Sequence, residues 1–113
     1  EGKRGITWLY EGLEPESVRL CVDTYWVMHG GEDPLSWLRV YGDRIAVLHL
    51  KDMASDAERS FAEVGQGIID FDAVLSEASG KGIEWWVVEQ DWTKRTPEES
   101  IRISREALRA MGY

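Results

Sequence analysis

Arg44-Ile-Ala-Val-Leu-His-Leu-Lys-Asp52 is a near-continuous apolar run that stops abruptly on a histidine, a lysine and an aspartate. A short apolar run bounded by polar residues reads as a strand buried on both faces, as in parallel sheets. Such a strand delivers its last residues to the C-terminal edge of the sheet, where parallel α/β proteins carry their chemistry. His49 taken alone also reads as a core histidine or a strand-end hydrogen bond. The pattern, however, recurs twice: residues 18–22 form a loosely alternating strand ending at Asp23, and residues 84–88 form one ending at Glu89, followed by Gln90 and Asp91.

Between these strands lie helical signals. Ile6 to Tyr10 reads as a short helix closing at Gly12. Asp33-Pro34 opens another with an aspartate cap and a proline in the first helical position, with Leu35, Leu38 and Tyr41 facing inward and Gly42 ending it. Asp70 caps a third, whose Phe71, Val74, Leu75 and Ala78 fall on one face at i, i+3, i+4 and i+7. Thr96-Pro97-Glu98-Glu99 is a capping-box start for a last helix through Ile101, Ser104, Leu108 and Met111. One helix followed by three strand–helix units implies a parallel sheet with crossover helices. No internal repeat or linker divides residues 1–113, which form a single unit. Residues 51–67 make a longer βα connection than usual, and long loops on that edge tend to be functional. Gly65-Gln66-Gly67 inside it only superficially resembles a phosphate loop, because it does not sit at a strand-to-helix junction.

The bulk numbers narrow the function. The chain has 113 residues and a net charge of -8, with 13 basic residues against 21 acidic ones, which argues against a phosphate-backbone groove and so against nucleic acid. No apolar run approaches the roughly 20 residues a membrane span needs. Cys21 is the single cysteine, so no intrachain disulfide can form and a cytoplasmic setting is expected. Leu20 and Val22 beside it suggest a buried packing thiol. Of six tryptophans, most read as core, while tryptophan also forms the apolar walls of sugar sites.

Asp23, His49 and Glu89 stand at three strand ends on one edge, and neighbouring strands are about 4.8 Å apart. Two carboxylates and an imidazole suit a divalent ion such as Mn²⁺, Co²⁺, Zn²⁺ or Mg²⁺.

These residues, in order, are similar to a known pattern. Asp23-Thr-Tyr-Trp26, Asp33-Pro34, Arg44-Ile with His49-Leu-Lys-Asp52, Phe61, Val64-Gly-x-Gly-x-x-Asp70-Phe71 and Val88-Glu-Gln-Asp91 resemble the sugar phosphate isomerase/epimerase family of xylose isomerase-like TIM barrels. The resemblance runs over essentially the whole chain and matches the C-terminal part of the barrel, its last three strands with their helices. It implies an α/β fold that is a portion of a (β/α)8 barrel, completed by an N-terminal part or by another chain. It implies that Asp23, His49 and Glu89 are three of four metal ligands, the fourth being a glutamate from the preceding strand, for which Glu1 sits too far into the following loop. Glu89 would also be one of two carboxylates that shuttle a proton beside a substrate carbonyl. Trp26, His29, Lys51, Asp52 and Asp91 are the expected substrate-binding residues, with Trp26 equally readable as packing. The implied activity is metal-dependent isomerisation or epimerisation of a sugar or keto-sugar derivative. The alternative is a non-catalytic sugar-binding or accessory subunit. Related apurinic endonucleases need histidines where Trp26 and Phe61 stand, so phosphodiester chemistry is disfavoured. With one ligand missing, the isolated chain is expected to bind metal weakly and to lack activity.

Overall fold

The computed structural model describes residues 2 and 4–113; Glu1, considered above as a fourth ligand, lies outside them. The elements run α1 (Gly5–Gly12), β1 (Leu20–Asp23), α2 (Thr24–His29), α3 (Pro34–Tyr41), a 3₁₀ turn (Gly42–Arg44), β2 (Ile45–Leu50), β3 (Asp52–Met53), β4 (Phe61–Ala62), α4 (Phe71–Ser79), β5 (Trp85–Val88) and α5 (Pro97–Ala110). The fold is α/β. β1, β2 and β5 form a parallel sheet in the order β1-β2-β5, and β3 and β4 pair separately as a short antiparallel hairpin.

The register brings the strand ends together. Asp23 lies opposite His49, and His49 opposite Val87, two residues before Glu89. Because side chains alternate across a strand, Asp23, His49 and Val87 share one face, with Cys21, Val47 and Trp85 one pair earlier on it. The other face carries Val22, Leu48 and Leu50, all buried, against Leu38 of α3, Val74, Leu75 and Ala78 of α4, and Leu108 of α5. Burying each large aliphatic here is worth about 1.5–3 kcal/mol. That makes the helix-covered face the core and leaves the opposite face bare, with Trp85 65% exposed.

The helix starts follow the sequence. Asp33 accepts from the Leu35 and Ser36 amides, Asp70 from Ala73 and Thr96 from Glu99, with proline opening α3 and α5. Three local readings are corrected, and one further helix is present. β1 begins at Leu20 rather than at residue 18, since the Val18 carbonyl is taken by Arg44. Residues 24–29 coil into α2, which starts because the Asp23 carboxylate accepts the Trp26 amide at 3.0 Å. Cys21 is exposed, because it projects from the bare face of the sheet. In α5 the inward positions are Ser100, Ser104 and Leu108, and Ile101 faces solvent.

Candidate functional site

Asp23, His49 and Glu89 each offer a ligand atom within 4.8 Å of the others. The imidazole Nδ1 faces both carboxylates, in contact with Glu89 Oε2 and 3.9 Å from Asp23 Oδ2. Its other nitrogen, Nε2, meets the Cys21 thiol at 3.6 Å. Asp23 divides its two oxygens: Oδ1 caps α2 and Oδ2 turns into the cluster. The cap fixes the carboxylate's rotamer, so the local helix start also aims the second oxygen.

Beneath the cluster lies Lys51, its side chain only 1% exposed. Its ammonium is 2.5 Å from Asp91 Oδ2, 3.0 Å from Asp23 Oδ2 and 3.4 Å from Glu89 Oε2, with the Phe61 ring 5.7 Å away. Thr24, fully buried on α2, clamps the same residue by its backbone: its hydroxyl donates to the Lys51 carbonyl and accepts the Lys51 amide. Burial by itself pulls the ammonium pKa down, but hydrogen bonds to Asp91 and Asp23 and the charges of Asp23 and Glu89 outweigh it, so it stands above the ordinary lysine value. Desolvation pushes the Cys21 thiol up, and the neighbouring Asp23 and Glu89 charges add to that.

Two of the expected substrate residues are buried. Lys51 is bound by three carboxylates. Asp52 is fully buried, its carboxylate taking backbone amides of Met53, Gly65, Gly67 and Ile69 at 2.8–3.1 Å. Its role is to fold the Gly65–Gly67 loop back onto β3. Burial raises its carboxyl pKa even against those four donors. His29 is exposed and stacks on Tyr25, beside the Trp26 ring, and is no part of the carboxylate cluster. Trp26 is half exposed and lines, with Asp23, Cys21, Leu20, Ile6 and Trp37, an open cavity of about 720 Å³ on the β1 side. Asp91 remains at the rim, its side chain 41% exposed.

The sequence carries no direct sign of the Thr24 and Phe61 contacts with Lys51 or of the Cys21–His49 contact. Nothing in a lone threonine beside an aspartate marks it as a clamp. The alternation in β1 was the one available signal for Cys21, since it places the thiol on the face of Asp23.

The family model of the xylose isomerase-like TIM barrel matches residues 9–111. An inosose dehydratase from Lacticaseibacillus casei is 31% identical over 116 residues, covering 86% of this chain and 39% of that protein. An inosose dehydratase from Bacillus cereus is 34% identical over 122 residues, covering 91% and 41% respectively. Among solved structures, a sugar phosphate isomerase/epimerase from Parabacteroides distasonis superposes with a TM-score of 0.81 at 27% identity, covering 97% of this chain and 37% of that one. The chain thus spans about two-fifths of the proteins it matches.

Proposed function

This chain belongs to the xylose isomerase-like TIM barrel family, and from that premise we propose that it carries one side of a metal-assisted site that removes a proton beside the carbonyl of a sugar or keto-sugar derivative. The observation that supports this reading is the convergence of Asp23, His49 and Glu89 from three strand ends. A donor set of two carboxylates and one imidazole fits a divalent ion of the Mn²⁺, Co²⁺, Mg²⁺ or Zn²⁺ type. Once bound, such an ion supplies Lewis-acid polarisation of the carbonyl and its neighbouring hydroxyl. The remaining barrel strands, from an N-terminal part or another chain, would supply the fourth ligand and the second carboxylate.

Of the two ligand carboxylates here, Glu89 is the proton carrier. Its side chain is 40% exposed and follows the end of the last strand, open to a substrate, whereas Asp23 is 14% exposed and half committed to its cap. Trp26 presents an apolar wall on the same side as Asp23, suited to the C–H face of a sugar. Asp91, at the rim, is placed to accept from a substrate hydroxyl.

Relatives named inosose dehydratase favour a second outcome of the same first step. After the proton is removed, a hydroxyl on the next carbon can leave as water. An isomerase or epimerase would instead return the proton to carbon or oxygen. Both outcomes require Glu89 as base, so one experiment addresses them together: the complete protein is incubated with Mn²⁺ and polyhydroxy ketones in D₂O, and substrate signals are followed by NMR. Deuterium entering the carbon beside the carbonyl is expected, falling at least about a hundredfold in Glu89→Gln. Appearance of an enone product assigns dehydration. Substrate that binds without any exchange would leave a sugar-binding role in place of an enzyme.

A further inference from the structure

Lys51 has no task in the reaction just described, yet no other cation in the site is so thoroughly immobilised. Its side chain is 1% exposed, its backbone is clamped in both directions by Thr24, and its ammonium touches three carboxylates at 2.5–3.4 Å. The oxygens it touches on Asp23 and Glu89, Oδ2 and Oε2, are the ones that turn toward His49 Nδ1.

We propose that Lys51 is the positioning residue of the metal site: its fixed ammonium holds Asp23 and Glu89 converged on His49, ready for a divalent ion. The inference rests on the metal reading above. Two carboxylates aimed at one point repel each other, and Glu89, partly exposed and past the end of an edge strand, is free to swing into solvent unless something retains it. Asp91 anchors the ammonium at 2.5 Å, so the lysine is held from following either ligand away.

Simple Coulomb attraction and positioning predict opposite signs for removal of this lysine. Deleting a positive charge next to a bound cation should tighten metal binding, whereas losing the positioning group should weaken it. Outer groups that orient ligands typically contribute 10–100-fold in metal affinity, and this is the loss expected for Lys51→Ala, read as Mn²⁺ affinity of the complete protein by EPR titration. n-Propylammonium should restore most of that affinity by occupying the vacated channel, and neutral n-propanol should not. Unchanged or tighter binding in Lys51→Ala overturns the proposal, and so does equal rescue by propanol, which would mean the stem only fills space. Circular dichroism checks that the variant folds. If it does not, Asp91→Asn takes its place, releasing the ammonium from its anchor, and an affinity no lower than the parent's counts against the idea. A folded parent that takes up no Mn²⁺ sinks the metal reading instead. The His49 ring nitrogen resonances of the metal-free protein then decide: they must shift in Lys51→Ala and return with propylammonium, and resonances that stay put refute the role of Lys51.

Discussion

Asp33 shows what a single residue contributes when its partners are close in sequence. Its carboxylate accepts from the Ser36 hydroxyl at 2.6 Å, the Ser36 amide at 2.9 Å and the Leu35 amide at 3.4 Å. The Ser36 hydroxyl, more than any other group, holds its pKa below the ordinary aspartate value, against the opposing effect of burial. A folded-state pKa below the unfolded one means that the charged cap contributes stability above the unfolded value, roughly 3.9. That contribution is lost as pH falls through the folded pKa. Asp33→Ala should therefore cost about 1 kcal/mol at pH 7, with the gap to the parent narrowing at pH 3; urea melts at both values test this, and an undiminished gap at pH 3 would remove the charge from the explanation. Such caps at Asp33, Asp70 and Thr96 were legible in the sequence because donor and acceptor lie three residues apart or fewer. Lys51 and Asp52 were not, since their partners stand up to 40 residues away and a charged residue after a strand looks the same whether it faces solvent or turns under. The convergence of Asp23, His49 and Glu89 is easier to read, because three polar residues ending three strands is itself a sequence pattern.

The elements that could be read are those long enough to show a period. α4 presents Phe71, Val74, Leu75 and Ala78 inward as its spacing requires. α2 has six residues and the β3–β4 hairpin two per strand, too few for any period to appear. α5 misled for a different reason: its inner face does polar work. Ser104 Oγ accepts the Val64 amide at 3.1 Å, and Ser100 and Thr93 hydrogen-bond to buried Glu63. Burial alone would raise the Glu63 pKa, but these hydroxyls and Arg95 hold it low. An apolar search therefore picks Ile101, one position out of phase. The hairpin and its loop are held by Asp52, and Gly67 is where that holding is tightest. A Cβ at Gly67 would lie 2.2 Å from the Met53 carbonyl oxygen and 2.3 Å from Asp52 Oδ1, both fixed groups. Gly67→Ala should thus cost about 3 kcal/mol, the upper range for overpacking. Gly30→Ala, where the nearest contacts are 3.4 Å and the backbone is helical, should stay within about 0.5 kcal/mol. Equal urea midpoints for the two variants would show that the loop yields freely and that Asp52 does not clamp it.

At the scale of the whole molecule, the sheet has one covered face and one bare one. Cys21, Trp85 and Val87 lie exposed on the bare face, with the outer edges of β1 and β5 unpaired among the described residues. In a closed barrel of this family that face is the packed interior, built from about 250 residues and eight strands, and the proteins matched here are about two and a half times as long as this chain. The same geometry that gathers Asp23, His49 and Glu89 therefore surrounds them with apolar surface that only further strands can cover. The isolated 113-residue chain is expected to self-associate through this face as its concentration rises, since bare strand edges and large apolar patches both favour association. Trp85, on the outer strand β5, is the largest contributor, 65% exposed. Trp85→Glu should lower the apparent mass in multi-angle light scattering toward that of one chain, 12.9 kDa. Because the side chain is mostly exposed in the folded chain, the melting temperature should hardly move. Trp92→Glu removes another exposed tryptophan (57%), but from the loop after β5 rather than from the sheet face, and should leave association unchanged. If Trp92→Glu dissociates the chain as well as Trp85→Glu does, or if the parent is already a single chain at high concentration, the bare face is not what drives association.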